Sequence, residues 1–142
     1  MIYKKQGWEV RLDALINEYY FTPFVWGEND CFIFAHDILK AVSGVDVIAP
    51  YRGQYKDEES ARALLEKHAG GKYEASFSGL ERVENPAFAQ RGDVGIIEIE
   101  GKEYCGGIGT NARFFMIRPL GGGLMSLSVK AASKKLRLWR AI

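Results

Sequence analysis

The sequence predicts an α+β fold in which N-terminal helices pack on a C-terminal antiparallel sheet. Apolar residues recur at helical spacing through the first half and fall in short strand-like runs through the second. Glycine, proline and aspartate punctuate the boundaries, and helices first with strands after is the signature of this class.

Trp8, Leu12, Leu15, Ile16 and Tyr19 recur at steps of three and four, with Arg11, Asn17 and Glu18 between them, so an amphipathic helix is expected over residues 8–19. Pro23 and Gly27 keep the aromatic stretch Tyr20–Trp26 from continuing it. Asn29 or Asp30 can cap a second helix that runs to Ser43 and stops at Gly44. That helix is apolar on several sides (Phe32, Ile33, Phe34, Ala35, Ile38, Leu39, Val42), which places it centrally. Val45–Lys56 reads as loop. Asp57 caps a third helix ending at Ala69 before Gly70-Gly71.

After a loosely patterned stretch, Arg91-Gly92-Asp93 forms a turn into the strand Val94–Ile99. Gly101-Lys102 bends the chain back into Glu103–Ile108, and Arg113–Arg118 is the next strand. Gly121–Gly123 is a loop and a helical turn follows Ser128. Leu136–Ile142 is expected as an edge strand. No repeat or linker interrupts residues 1–142, which read as a single domain.

At 142 residues, 47% hydrophobic and 26% charged, the chain can bury a core, and disordered or fibrous classes are excluded. No run of eighteen apolar residues and no basic-then-apolar leader is present, so the expected location is cytoplasmic, with assembly into a virion also compatible. The net charge of +1 is uneven: −3 over residues 1–71 and +4 over residues 72–142. Lys130, Lys134, Lys135, Arg137 and Arg140 make the late segment basic, which reads first as a solvated face.

Cys31 and Cys105 form no disulfide framework; a single bridge between them stays open as an alternative to two reduced thiols. A metal site of Cys31, His36, His68 and Cys105 would use every candidate, and no pair has the close spacing of structural zinc sites, so neither metal nor cofactor is expected. Gly106-Gly107-Ile108-Gly109 lacks the lysine and hydroxyl of a phosphate loop and reads as a bulge or a tight backbone contact.

The segment Trp26-Gly27-Glu28-Asn29-Asp30-Cys31 carries the chemistry. It sets a cysteine in the first turn of a helix, where unpaired N–H groups stabilise a thiolate and can face an oxyanion. Gly27 leaves the approach to sulfur open, and Asp30 would cap the helix while its charge opposes thiolate formation. A small cysteine buried at the start of a core helix is the alternative. The aromatic cluster Tyr19, Tyr20, Phe21, Phe24 and Trp26 can pack beneath this helix, line a pocket, or both.

Proline, aromatic residues, Trp-Gly, a spacer and Asp-Cys opening a helix, followed by Arg91-Gly92-Asp93-Val94 leading into the sheet, resemble the NlpC/P60 superfamily of papain-like cysteine peptidases. Trp26–Cys31, Tyr51–Lys56, Ala87–Asp93 and Leu138-Trp139-Arg140 are similar to a short phage and prophage family with a Trp-Gly-x-x-Asp-Cys motif. The likeness spans residues 20–142. It implies a papain-like NlpC/P60-type fold, with Cys31 at the nucleophile position and Trp26, Gly27, Asn29 and Asp30 along the groove.

The resemblance also implies a catalytic histidine on the second hairpin strand, and the pattern sets Tyr104 there, followed by Cys105 and Gly106. Tyrosine, with a reference pKa near 10, is a poor acceptor for a thiol proton at neutral pH. Alternation then turns Cys105 to the core if Tyr104 faces the groove, while a shift of one residue brings the two sulfurs together. His36, about 7.5 Å along the helix and about 140° around it from Cys31, is too far for a direct bond. Both His36 and His68 are expected to be exposed or locally paired.

The expected function is therefore that of a degenerate NlpC/P60-like domain, phage- or prophage-associated, in a binding or tail-related assembly role. The partner would be a phage structural protein or a cell-wall peptide. The enzymatic alternative is a thiol-dependent amidase or peptidase acting through Cys31 on cell-wall peptide or a phage protein. Nucleic-acid binding rests only on the basic late segment and is not the expected mode, and no membrane partner is expected.

Overall fold

A computed structural model describes residues 1–142. Helices α1 (Trp8–Tyr19), α2 (Cys31–Ser43) and α3 (Glu58–Ala69) come first. Six strands follow: β1 (Glu81–Val83), β2 (Val94–Ile99), β3 (Lys102–Ile108), β4 (Arg113–Ile117), β5 (Leu124–Ser128) and β6 (Leu136–Arg140). A four-residue helix, α4 (Val129–Ala132), precedes β6. The strands form one antiparallel sheet in the order β1-β6-β2-β3-β4-β5. No helix is long and apolar enough to cross a membrane.

The sequence signals for helix ends act as expected. The Asp30 carboxylate accepts the Ile33 N–H at 2.9 Å, and Gly44 closes α2 with φ 76°. Asp57 and Ser60 make a reciprocal capping box on α3.

One expectation about the sheet is corrected. The C-terminal strand is interior, flanked by β1 and β2. Its arginines look like the charges that guard an edge, but both are held by carboxylates: Arg140 forks onto the buried Asp93 at 2.8 and 2.9 Å, and Arg137 pairs with Glu74 and Glu103. The strand can thus be paired on both sides. The outer strands β1 and β5 lie in stretches whose pattern does not announce them.

Alternation divides the sheet into two apolar layers. Val94, Ile96, Cys105, Phe115, Ile117, Trp139 and Ala141 face α1 and α2. Ile97, Ile108, Phe114, Met116, Leu136 and Leu138 face the other way and are covered by Val129 and Ala132 of α4. Helix α2 lies hard on the first layer because Gly107 has no side chain: a Cβ there would stand 2.7 Å from Ile38 Cδ1 and 2.8 Å from the Asp93 carbonyl oxygen. The glycine run is a close backbone contact, which lets the middle of α2 lie against β3.

Candidate functional site

The first turn of α2 opens into a pocket of about 490 Å³. Cys31, half-buried, lies in its wall with Phe24, Trp26, Tyr51, Tyr55 and Tyr73. Glu58, Arg62 and Glu66 of α3 and Lys102 and Glu103 of β3 supply charge around this apolar lining.

Two loops build the floor together. Gly27 has φ 82°, and a Cβ on it would stand 2.1 Å from the Tyr55 carbonyl oxygen, so only glycine allows the approach. The Gly53 N–H donates to the Gly27 carbonyl at 2.9 Å. Arg52 holds the second loop to α2 by bridging Asp37 at 2.7 Å and Asp46 at 2.9 Å. Tyr51 and Tyr55 are thereby set across from Cys31. The loop 45–56 is a structural half of the site.

Asp30 is 1% exposed and joins these pieces. Its carboxylate accepts the Gly27 N–H at 2.9 Å, the Ile33 N–H at 2.9 Å and the Tyr55 hydroxyl at 2.5 Å. Burial pushes its pKa up, opposed by these hydrogen bonds. Burial and the neighbouring Asp30 charge also push the Tyr55 hydroxyl pKa far up, so Tyr55 acts as a donor. Tyr73 is shifted the same way by burial and by the two cysteines. Occupied on both oxygens, Asp30 is an organiser of the loop and a poor base for Cys31.

The residue on β3 that meets Cys31 is Cys105. It is fully buried on the α2 side, in the apolar core against which Cys31 packs. Burial first, then the neighbouring Cys31, raise the Cys105 pKa well above that of a free thiol. The arrangement is the one produced by shifting the sequence placement by a single residue. Tyr104 packs with the opposite apolar layer and also lines the pocket, and strand alternation turns it away from the face that carries Cys105. Both cysteines are free thiols.

No histidine lines the pocket. Of the two states expected for it, exposed or paired, His36 takes the second and is fully buried. Its ring stacks on Phe77 at 4.9 Å and lies edge-on to Phe32 at 4.8 Å. The Ser76 hydroxyl donates to the Tyr73 carbonyl, so it accepts from His36 Nε2–H at 2.9 Å, leaving Nδ1 without a partner. Burial lowers the His36 pKa to about 3, and the ring is neutral at ordinary pH. His68 is exposed and touches the edge of Tyr51.

Of the groove residues expected from sequence, Trp26 and Asp30 line the pocket. Gly27 forms its floor from behind, and Asn29 instead closes a turn with Val25. Tyr51 and Tyr55 enter the sequence reading only as part of the stretch Tyr51–Lys56, and Tyr73, Arg62, Glu66, Lys102 and Glu103 carry no signal there that marks them as pocket residues. No group of three or more metal-ligating side chains is assembled.

Fold and site define an α+β domain with a cysteine at a helix start, beneath an aromatic pocket. Residues 3–141 match the family model described as a domain of unknown function (DUF6950), and the chain belongs to that family. No curated protein and no solved structure matches the chain.

Proposed function

We propose that this chain is a degenerate NlpC/P60-like domain that uses the Cys31 pocket to bind a peptide segment without cleaving it, in a phage- or prophage-associated assembly role. The observation that carries the reading is the wall facing Cys31. Hydrolysis through a thiol needs a group that accepts and returns a proton. Around Cys31 stand a buried thiol and two tyrosines that hold their protons, while Asp30 is already occupied. An aromatic-lined cleft with a charged rim suits an extended peptide carrying apolar and ionic side chains. Phe24 and Pro119 line the pocket from two adjoining loops, whose tips Phe21 and Leu120 are 94% and 89% exposed. These tips extend the apolar surface beyond the cleft.

The enzymatic reading, a thiol-dependent amidase or peptidase, draws on one feature: Cys31 sits open to the pocket at the start of a 13-residue helix. Nucleic-acid binding gains little, since Arg137 and Arg140 are turned into ion pairs and only Lys130, Lys134 and Lys135 of the basic group are exposed.

A titration of the protein with a cell-wall stem peptide, followed by Trp26 fluorescence and by mass spectrometry of the peptide, separates the two readings. Saturable binding without cleavage, retained in Cys31→Ser, is the expected result. Cleavage that disappears in Cys31→Ser would replace binding with catalysis. No binding to this peptide or to a panel of phage tail segments would remove the peptide-binding reading.

A further inference from the structure

A second use of the site follows from the two sulfurs. Cys31 opens on the pocket, Cys105 is buried behind it, and Cys31 packs against the core that holds Cys105, where α2 lies on β3. Their backbones are held in place by the close seating of α2 on β3, which the missing side chain of Gly107 permits. A small oxidant reaching the pocket meets Cys31, whereas Cys105 is fully buried and does not line it.

We propose that Cys31 and Cys105 form an oxidisable dithiol, in which a hydroperoxide oxidises Cys31 and Cys105 resolves the product to an intramolecular disulfide. In the first step the Cys31 sulfur attacks the peroxide and the O–O bond breaks. Sulfur gains a hydroxyl and loses two electrons, giving a sulfenic acid, and the thiol proton goes to the departing oxygen, which leaves as an alcohol, or as water when the oxidant is hydrogen peroxide. In the second, the Cys105 sulfur displaces that hydroxyl: the S–S bond forms, the S–O bond breaks, and the thiol proton departs with the hydroxyl as water. One peroxide is consumed per disulfide. The high pKa of Cys105 makes it a poor first target and leaves it dependent on the Cys31 product for its reaction. The linkage would join the start of α2 to the middle of β3, removing the free thiol from the pocket wall.

The chemistry goes beyond peptide binding and does not depend on it, because it is read on the thiols alone. Reduced folded protein is treated with one equivalent of hydrogen peroxide, the remaining thiols are alkylated, and the products are mapped by peptide mass spectrometry. The expected outcome is a mass loss of two hydrogens, a crosslinked peptide pair containing Cys31 and Cys105, and return of both thiols with dithiothreitol. In Cys105→Ser, Cys31 should accumulate as a sulfenic acid trapped by dimedone. In Cys31→Ser, Cys105 should keep its thiol. Cys31 passing to sulfinic acid while Cys105 stays free would overturn the proposal, as would disulfides formed between molecules, or oxidation of Cys105 in Cys31→Ser. The wild-type mapping decides the matter by itself should Cys105→Ser fail to fold.

Discussion

On the face of the sheet turned to α1 and α2, a core of 21 buried residues surrounds polar groups with assigned partners, Asp30 with three donors and His36 with Ser76, and holds Cys105 where Cys31 packs. On the other face, nine residues, two of them from α4, form a layer of aliphatic, methionine and phenylalanine side chains, with Tyr104 at its border. The same strand, β3, serves both, sending Cys105 one way and Tyr104 the other. Chemistry is confined to the helix face, where each polar group costs a partner, and the opposite face supplies burial alone. Substitutions on the two faces should therefore fail in different ways.

The largest contrast is a dependence on pH. Between about 3 and 6.5 the unfolded chain binds a proton at residue 36 that the folded chain refuses, so stability falls as pH falls through that window and levels off below it. The raised folded pKa of Asp30 acts with the opposite sign, its stabilisation being present below the unfolded value and lost as pH rises through the folded one. His36→Phe keeps Asp30 and removes only the histidine term. Denaturant melts from pH 7 to pH 3 should show the wild type losing up to about 4 kcal/mol more than the variant. Parallel pH curves for the two proteins would mean that the ring is solvated.

A smaller effect is expected where the helix meets the strand. Gly107→Ala puts a methyl against Ile38 and the Asp93 carbonyl, and should cost about 2 kcal/mol by overpacking. It should also change the rate at which Cys31 is alkylated, because α2 must back away from β3. Stability lost with Cys31 unaltered would show that the site does not depend on this seating.

The smallest effect belongs to the far face. Tyr104 makes no side-chain hydrogen bond among those formed in the structure. Tyr104→Phe should stay within about 0.5 kcal/mol of wild type, with Cys31 alkylation unchanged. A large change in Cys31 reactivity would return Tyr104 to the site.

These contrasts also mark how far the sequence can be read. The helices, the hairpin β2–β3 and the Asp-Cys helix start were legible because caps and periodicity are local signals. The interior position of β6 was not, since it depends on Asp93, Glu74 and Glu103 reaching its arginines from elsewhere in the chain. The partner of Cys31 was missed by one residue for a similar reason. A one-residue slip in strand placement reverses every side chain, and the packing of Gly107 on Ile38, which fixes the placement here, is a contact between distant segments. Burial of His36 likewise follows from Phe77 and Ser76, which lie in a stretch without strong periodicity.

Differential alkylation tests the central arrangement most directly. Folded protein is exposed to iodoacetamide, and Cys31 and Cys105 are followed separately by peptide mass spectrometry. With Cys31 open to the pocket and Cys105 sealed behind it, Cys31 should be modified fully while Cys105 waits for global unfolding. Labelling of Cys105 at a comparable rate, or protection of both until the protein unfolds, would contradict the placement of the two thiols on which the account of this site rests.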